Sequence, residues 1–207
     1  MTRTVLISTF GFDERKIIAA TCSLAYDKLV LVVGDDILDT QSYLRLKKME
    51  GYGPNRMETV VVDIHDFMDC LDKVNDTIRK WDEEGNRVIL NISGGTVILA
   101  DAALLAGYHN GIEIFHVDEK VTKLPVIQGI RVSDRFTERQ AHLIKALEWD
   151  DTIPNLMKKL QDKGLDERVI RREIRRLSEG GVIKARLEKG QIRLGFNEGQ
   201  EWFGRFL

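Results

Sequence analysis

A doubly wound, mostly parallel α/β sheet is predicted for residues 1–133 of this 207-residue chain. Short apolar runs recur that are long enough for buried parallel strands. Helix-length segments separate them, and strand alternating with helix is the signature of a doubly wound sheet. Glycines stand where several helices should stop: Gly51, Gly85 and Gly111.

In chain order the expected strands are Thr4–Ser8, Leu29–Val33, Thr59–Asp63, Val88–Ile92 and Ile112–Val117. The helices between them are expected at Asp13–Tyr26, Leu38–Glu50, Asp66–Glu84 and Val97–His109. A further strand, Val121–Ile127, contains Pro125 and so suits an edge. The fourth helix is apolar almost all round, through Val97, Ile98, Leu99, Ala102, Ala103, Leu104 and Leu105. Such a helix needs cover on more than one side, which points to a homodimer interface. Asp101 within it is expected to pair across that dimer or to face a pocket.

The remaining third reads as a different module. Thr137–Trp149 forms a first helix, with Thr137 and Gln140 completing a capping box. Pro154 sits just inside a second helix, Ile153–Lys163, which Gly164 ends. Asp166 caps a third helix running to about Ser178. At 100° per residue Arg168, Arg171, Arg172 and Arg175 share a narrow sector, and Ile170, Ile174 and Leu177 lie opposite. Strands Val182–Leu187 and Ile192–Leu194 come next, with Lys184, Arg186 and Lys189 on or near the turn between them. Three helices and a basic hairpin form an α+β winged helix-turn-helix over residues 134–207, whose third helix would enter the major groove of double-stranded DNA. The alternative is a solvated basic helix in an oligomerisation domain.

Charge divides the chain in the same way. Residues 1–133 hold 15 Lys and Arg against 20 Asp and Glu, net −5; residues 134–207 hold 16 against 13, net +3. Two modules with different partners fit that asymmetry. Hydrophobic residues make up 43% and charged residues 31%, enough for a core and a hydrated surface. Cys22 and Cys70 suggest neither a disulfide framework nor a zinc site. No signal peptide precedes the first strand and no apolar stretch is long enough to span a bilayer, so a cytoplasmic protein with no membrane partner is expected.

The richest stretch is Val88–Thr96, where an apolar run passes through Ser93-Gly94-Gly95-Thr96 into a helix. Glycines let backbone N–H groups approach a ligand, and a helix N-terminus adds partial positive charge. Phosphate or nucleotide binding suits this loop, although it is neither a P-loop nor G-x-G-x-x-G. A tight turn needing glycine only for packing is the other reading. In a Rossmann-like order the first and fourth strands meet at the switch point, where ligands bind outside the carboxyl ends of strands. The loop after the first strand, Thr9-Phe10-Gly11-Phe12, adds a hydroxyl and two aromatics at that crevice.

With these two loops on a Rossmann-like domain, the front module resembles a CARF domain (CRISPR-associated Rossmann fold). Joined to a winged helix, the whole chain resembles the Csa-type transcriptional regulators of CRISPR systems. That resemblance implies a homodimer sharing one pocket for a cyclic oligoadenylate, often the tetra-adenylate. It places Thr9, Phe10, Gly11 and Phe12 beside a base or ribose, and Ser93, Gly94, Gly95 and Thr96 at the ring phosphates. Some CARF proteins cleave the ring with a basic or hydroxyl residue; Val97 follows Gly-Gly-Thr here and neither loop holds a lysine, so no enzyme activity, catalytic residue or cofactor is expected.

Other readings compete with this one. Asp63-Ile64-His65-Asp66 has metal-ligand residue types, but a strand end and a helix cap explain it, so no metal is expected. No acidic residue after the first glycine loop has a clear ribose-binding role and no general base stands out, which disfavours a dinucleotide- or nucleotide-dependent enzyme with a DNA-binding tail. A winged-helix repressor sensing another nucleotide or a small anion stays open, as does a ring nuclease. Trp81, Trp149 and Trp202 are expected to be packing residues.

Overall fold

Runs rich in Val, Ile and Leu become the central strands of a six-stranded sheet: Thr4–Thr9 (β1), Lys28–Gly34 (β2), Met57–Val62 (β3), Arg87–Asn91 (β4), Glu113–Val117 (β5) and Val121–Lys123 (β6). The computed structural model describes residues 2–50, 57–125 and 132–207. It divides into two compact units, Met1–Ile130 and Arg131–Leu207.

The first unit's strand order is β3-β2-β1-β4-β5-β6, parallel except for β6, which runs antiparallel to β5 at the edge. This is a Rossmann-like α/β sheet. Side chains alternate between its faces. Leu6, Leu29, Leu31, Val33 and Ile89 pack with Ile17, Tyr43 and Leu46 of helices Glu14–Ser23 (α1) and Gln41–Glu50 (α2). The opposite set, including Val5, Ile7, Val30, Val32 and Leu90, is buried on the side of Phe67–Glu83 (α3) and Val97–Asn110 (α4), which pack on each other. Gly107 lets α4 lie close to the sheet: a Cβ there would stand 2.7 Å from Ile114 Cδ1 and 2.9 Å from Leu90 Cδ2.

Helix ends differ from expectation where polar groups intervene. α2 begins at Gln41 rather than Leu38, because Asp35–Ile37 forms a 3₁₀ turn and the Thr40 hydroxyl accepts from Tyr43 N–H at 3.3 Å. Gly51 lies outside the described residues, as do the last two residues expected in the edge strand. Gly111 ends α4 in the left-handed conformation, φ 68°.

In the second unit the order is helix Glu138–Ala146 (α5), strand Asp151–Thr152 (β7), helix Ile153–Lys159 (α6), helix Glu167–Glu179 (α7), and strands Ile183–Glu188 (β8) and Gln191–Phe196 (β9). The strands form an antiparallel sheet, β7-β9-β8. A short helix, Phe203–Phe206 (α8), comes last. The capping box of Thr137 and Gln140 is present. α5 stops three residues before Trp149, and Asp151 ties β7 to α6. Its buried carboxylate accepts from Thr152 N–H at 2.8 Å, Asn155 Nδ2 at 2.6 Å and Lys159 Nζ at 2.8 Å. Burial pushes this carboxyl up, but those donors outweigh it and hold the group below its ordinary value. At the hairpin turn Lys189 and Gly190 both have positive φ, 49° and 76°, as a two-residue I′ turn requires.

Candidate ligand cleft and nucleic-acid interface

Beneath the two loops of the first unit lies a buried polar chain. Asn91 Nδ2 donates to Ser8 Oγ at 2.8 Å, and Ser93 Oγ donates to Asn91 Oδ1 at 2.6 Å. Val117 N–H donates to Ser93 Oγ. These bonds fasten β1, β4 and β5 together at their carboxyl ends. The Ser93 hydroxyl is thereby engaged inside the protein. Thr9 is buried with its hydroxyl 3.5 Å from the Asn91 carbonyl oxygen, and Phe10 belongs to the core. Of the eight loop residues expected at a ligand, these three are buried, with the Thr9 and Ser93 hydroxyls turned to partners inside the protein.

Close packing explains two of the glycines. A Cβ on Gly94 would stand 2.4 Å from the Thr9 carbonyl oxygen, and one on Gly11 would stand 2.9 Å from Gly95 Cα. Gly95 is exposed and left-handed, φ 81°. The two loops therefore meet backbone to backbone, and glycine serves packing as well as access.

Above that contact opens a cleft of about 100 Å³. Phe10, Gly11, Phe12, Gly95 and Thr96 line it, together with Gly34, Asp36 and Ile37 from the end of β2 and Ile64 after β3. Phe12 is 68% exposed, so of the two aromatics it alone presents its ring to solvent. Thr96 caps α4, accepting from Leu99 N–H at 3.2 Å. The positive end of a 14-residue helix thus faces the cleft. Asp36 lies where an acid at the end of the second strand of a Rossmann-like sheet meets ribose hydroxyls. In the sequence Gly34-Asp35-Asp36 reads as an ordinary polar loop, and only the sheet order brings Asp36 to the crevice. At the same mouth Asp13 caps α1 and receives Arg15 Nε and Nη2 at 2.9 and 3.0 Å, which hold its carboxyl below the usual range.

Elsewhere on this unit, Asp66 caps α3 and accepts from Met68 N–H at 2.8 Å, while Asp63 accepts from His65 N–H at 2.9 Å. Strand end and helix cap account for that cluster. Among the described residues no three His, Cys, Asp or Glu side chains gather as a metal site would need. On α4, Val97 is 75% exposed, and Ile98 and Asp101 are exposed too.

The second unit presents α7. Arg168, Arg171, Arg172 and Arg175 are all exposed, with Ile170, Ile174 and Leu177 buried behind them. Most of these arginines have a carboxylate on the same helix: Arg171 with Glu167 at 2.6 Å, Arg175 with Glu179 at 2.8 Å, and Arg172 with Glu173 at 3.1 Å. Buried Glu173, which also takes Arg176 at 3.2 Å, is missed by the sequence pattern because it sits among apolar positions. For Arg168 no carboxylate lies within ion-pair distance among the described residues. Beside Arg171 a hollow of about 370 Å³ opens between Thr152-Ile153-Pro154 and the hairpin turn at Gly190, Gln191 and Ile192. Trp149, expected to pack, is 63% exposed instead.

No helix among the described residues is long and apolar enough to cross a membrane. No curated protein matches the chain. Among solved structures, the chain is similar to Can2 from Sulfobacillus thermosulfidooxidans in complex with cyclic tetra-adenylate, at 13% identity and TM-score 0.49, over 97% of this chain and 63% of that one. It is also similar to Enterococcus italicus Csm6 bound to cyclic hexa-2′-fluoro-hexa-dAMP, at 12% identity and TM-score 0.47, over 86% of this chain and 46% of that one. SSV1 F-93 matches at 22% identity and TM-score 0.31, over 33% of this chain and 80% of that one. The chain thus spans less than two thirds of the length of Can2 and of Csm6. A protein-family model described as "HFX_2341_N:-like, N-terminal" matches residues 4–121, more than half of the chain, and the chain belongs to that family.

Proposed function

We propose that this protein is a nucleotide-controlled DNA-binding regulator. Its first unit, a CARF-like domain, takes a cyclic oligoadenylate, with the tetra-adenylate as the first candidate. Its second unit, a winged helix-turn-helix, takes double-stranded DNA. The observation that carries the ligand half is the cleft, where a helix N-terminus, an exposed aromatic ring and an acid converge at the sheet's switch point. Phosphate suits the first, a base the second and a ribose hydroxyl the third. The exposed apolar end of α4, at Val97 and Ile98, supports a homodimer that brings two clefts together around one symmetric ring.

The DNA half rests on the element order helix, strand, helix, helix, hairpin, with an arginine-bearing third helix. Binding without ring cleavage is the further reading, because the lining described holds no Lys, Arg or His to meet a scissile phosphate.

Mass spectrometry of small molecules released from the purified protein tests the ligand class. An intact cyclic oligoadenylate is the expected species. A mononucleotide, a dinucleotide or a small anion in its place would favour the other sensors, and linear products would show cleavage.

A further inference from the structure

The hairpin has a second face, separate from the one turned toward the helices. Along β8 and β9, Ile183, Leu194 and Phe196 are buried on the helix side. Alternation puts Lys184, Arg186 and Arg193 on the other side. Lys184 pairs across the strands with Gly195, and Arg186 pairs with Arg193, so three cations occupy two neighbouring rungs. Trp149 lies over Gly195: a Cβ at that glycine would meet the indole at 3.7 Å. Lys184 Nζ stands 4.9 Å from the centre of the Trp149 ring, which is otherwise open to solvent. Two acids share this face. Asp150 is paired with Arg193 at 3.5 Å, and Glu188 sits at the far end, beside the turn.

We propose that this face binds a single-stranded nucleic-acid segment, one base stacking on Trp149 and the flanking phosphates meeting Arg186 and Lys184. An exposed ring among cations is the combination that single-strand binding uses: stacking tolerates any base, and the cations follow the backbone. A duplex fits less well, because its base faces are already stacked on one another. An acidic peptide would use the cations and leave the ring idle. The site does not depend on α7, so it survives the loss of the α7 arginines, although Lys184 and Arg186 also belong to the basic hairpin of the winged helix.

The full-length protein, titrated with a short fluorescein-labelled oligothymidylate at low salt, tests this by anisotropy and by tryptophan emission. The parent should bind and its emission should fall. Trp149→Ala should weaken binding about tenfold, within the range of one stacked base. Trp149→Phe should keep binding and lose the emission change, leaving the signal of Trp81 and Trp202. Arg186→Glu, at an exposed position, should weaken binding and lessen its salt dependence. The double variant Arg171→Ala, Arg172→Ala should keep the strand and lose the duplex. No binding by the parent, or parent-like affinity in both Trp149→Ala and Arg186→Glu, would overturn the proposal. Loss of the strand only in the α7 variant would overturn it too, as would displacement of the strand by polyglutamate at equal concentration.

Discussion

The backbone of Gly94 lies so near Thr9 that a Cβ on the glycine would stand 2.4 Å from the Thr9 carbonyl oxygen. That approach joins the loop after β1 to the loop after β4 and fixes the floor of the cleft. Neither backbone can yield without moving its strand. Gly94→Ala should therefore cost roughly 1–3 kcal/mol, the range for overpacking a tight site. Urea unfolding measures it, and a midpoint equal to the parent's would contradict so rigid a contact.

Asp36 should contribute to ligand affinity through its charge. Asp36→Asn keeps the shape and removes a charged acceptor for ribose hydroxyls, so cyclic tetra-adenylate should bind about tenfold more weakly, near 1.4 kcal/mol for one charge-assisted bond. Calorimetry reads the change. Tighter binding would mean that the carboxylate opposes a phosphate instead.

Arg168 and Arg171 should contribute to duplex binding in different ways. Arg168 has no carboxylate to leave among the described residues, whereas Arg171 must give up Glu167. Either change to Ala should lower the slope of log affinity against log salt by about 1 if the side chain meets a phosphate. Removing Arg168 should weaken binding more. Parent-like slopes in both variants would remove α7 from the interface.

The Asp151–Lys159 pair should show in the acid stability of the second unit. Asp151 is held below its ordinary value of 3.8, so its contribution is complete above that pH and is lost as pH falls through the lower folded value. Asp151→Asn should destabilise the unit by roughly 1–3 kcal/mol at neutral pH, because it removes the buried charge that Lys159 meets at 2.8 Å and leaves donors unmet, while Lys159 keeps Glu148 at 2.9 Å. The gap to the parent should narrow below about pH 4, where the parent's carboxyl protonates as well. Thermal unfolding across pH checks this, and a constant gap would contradict it.

Periodicity and glycine stops made most of the first unit legible: the apolar runs and the helices between them stand where the pattern puts them. Three features lay beyond the sequence pattern. Thr9 and Ser93 read as ligand hydroxyls, but Thr9 is enclosed against the Asn91 carbonyl, 82 residues along the chain, and Ser93 is taken up by Asn91 and Val117. Asp36 reaches the cleft only because β2 lies beside β1. Glu173 escapes a hydrophobic count because two arginines, not apolar neighbours, make its burial tolerable.

Two copies of the cleft around one axis should hold a single symmetric ring, each copy supplying the positive end of α4 to its phosphates. Isothermal titration of the parent protein with cyclic tetra-adenylate counts the rings directly. Saturation at one ring per two chains is the expected result; one ring per chain, or no heat of binding at micromolar protein, would contradict it.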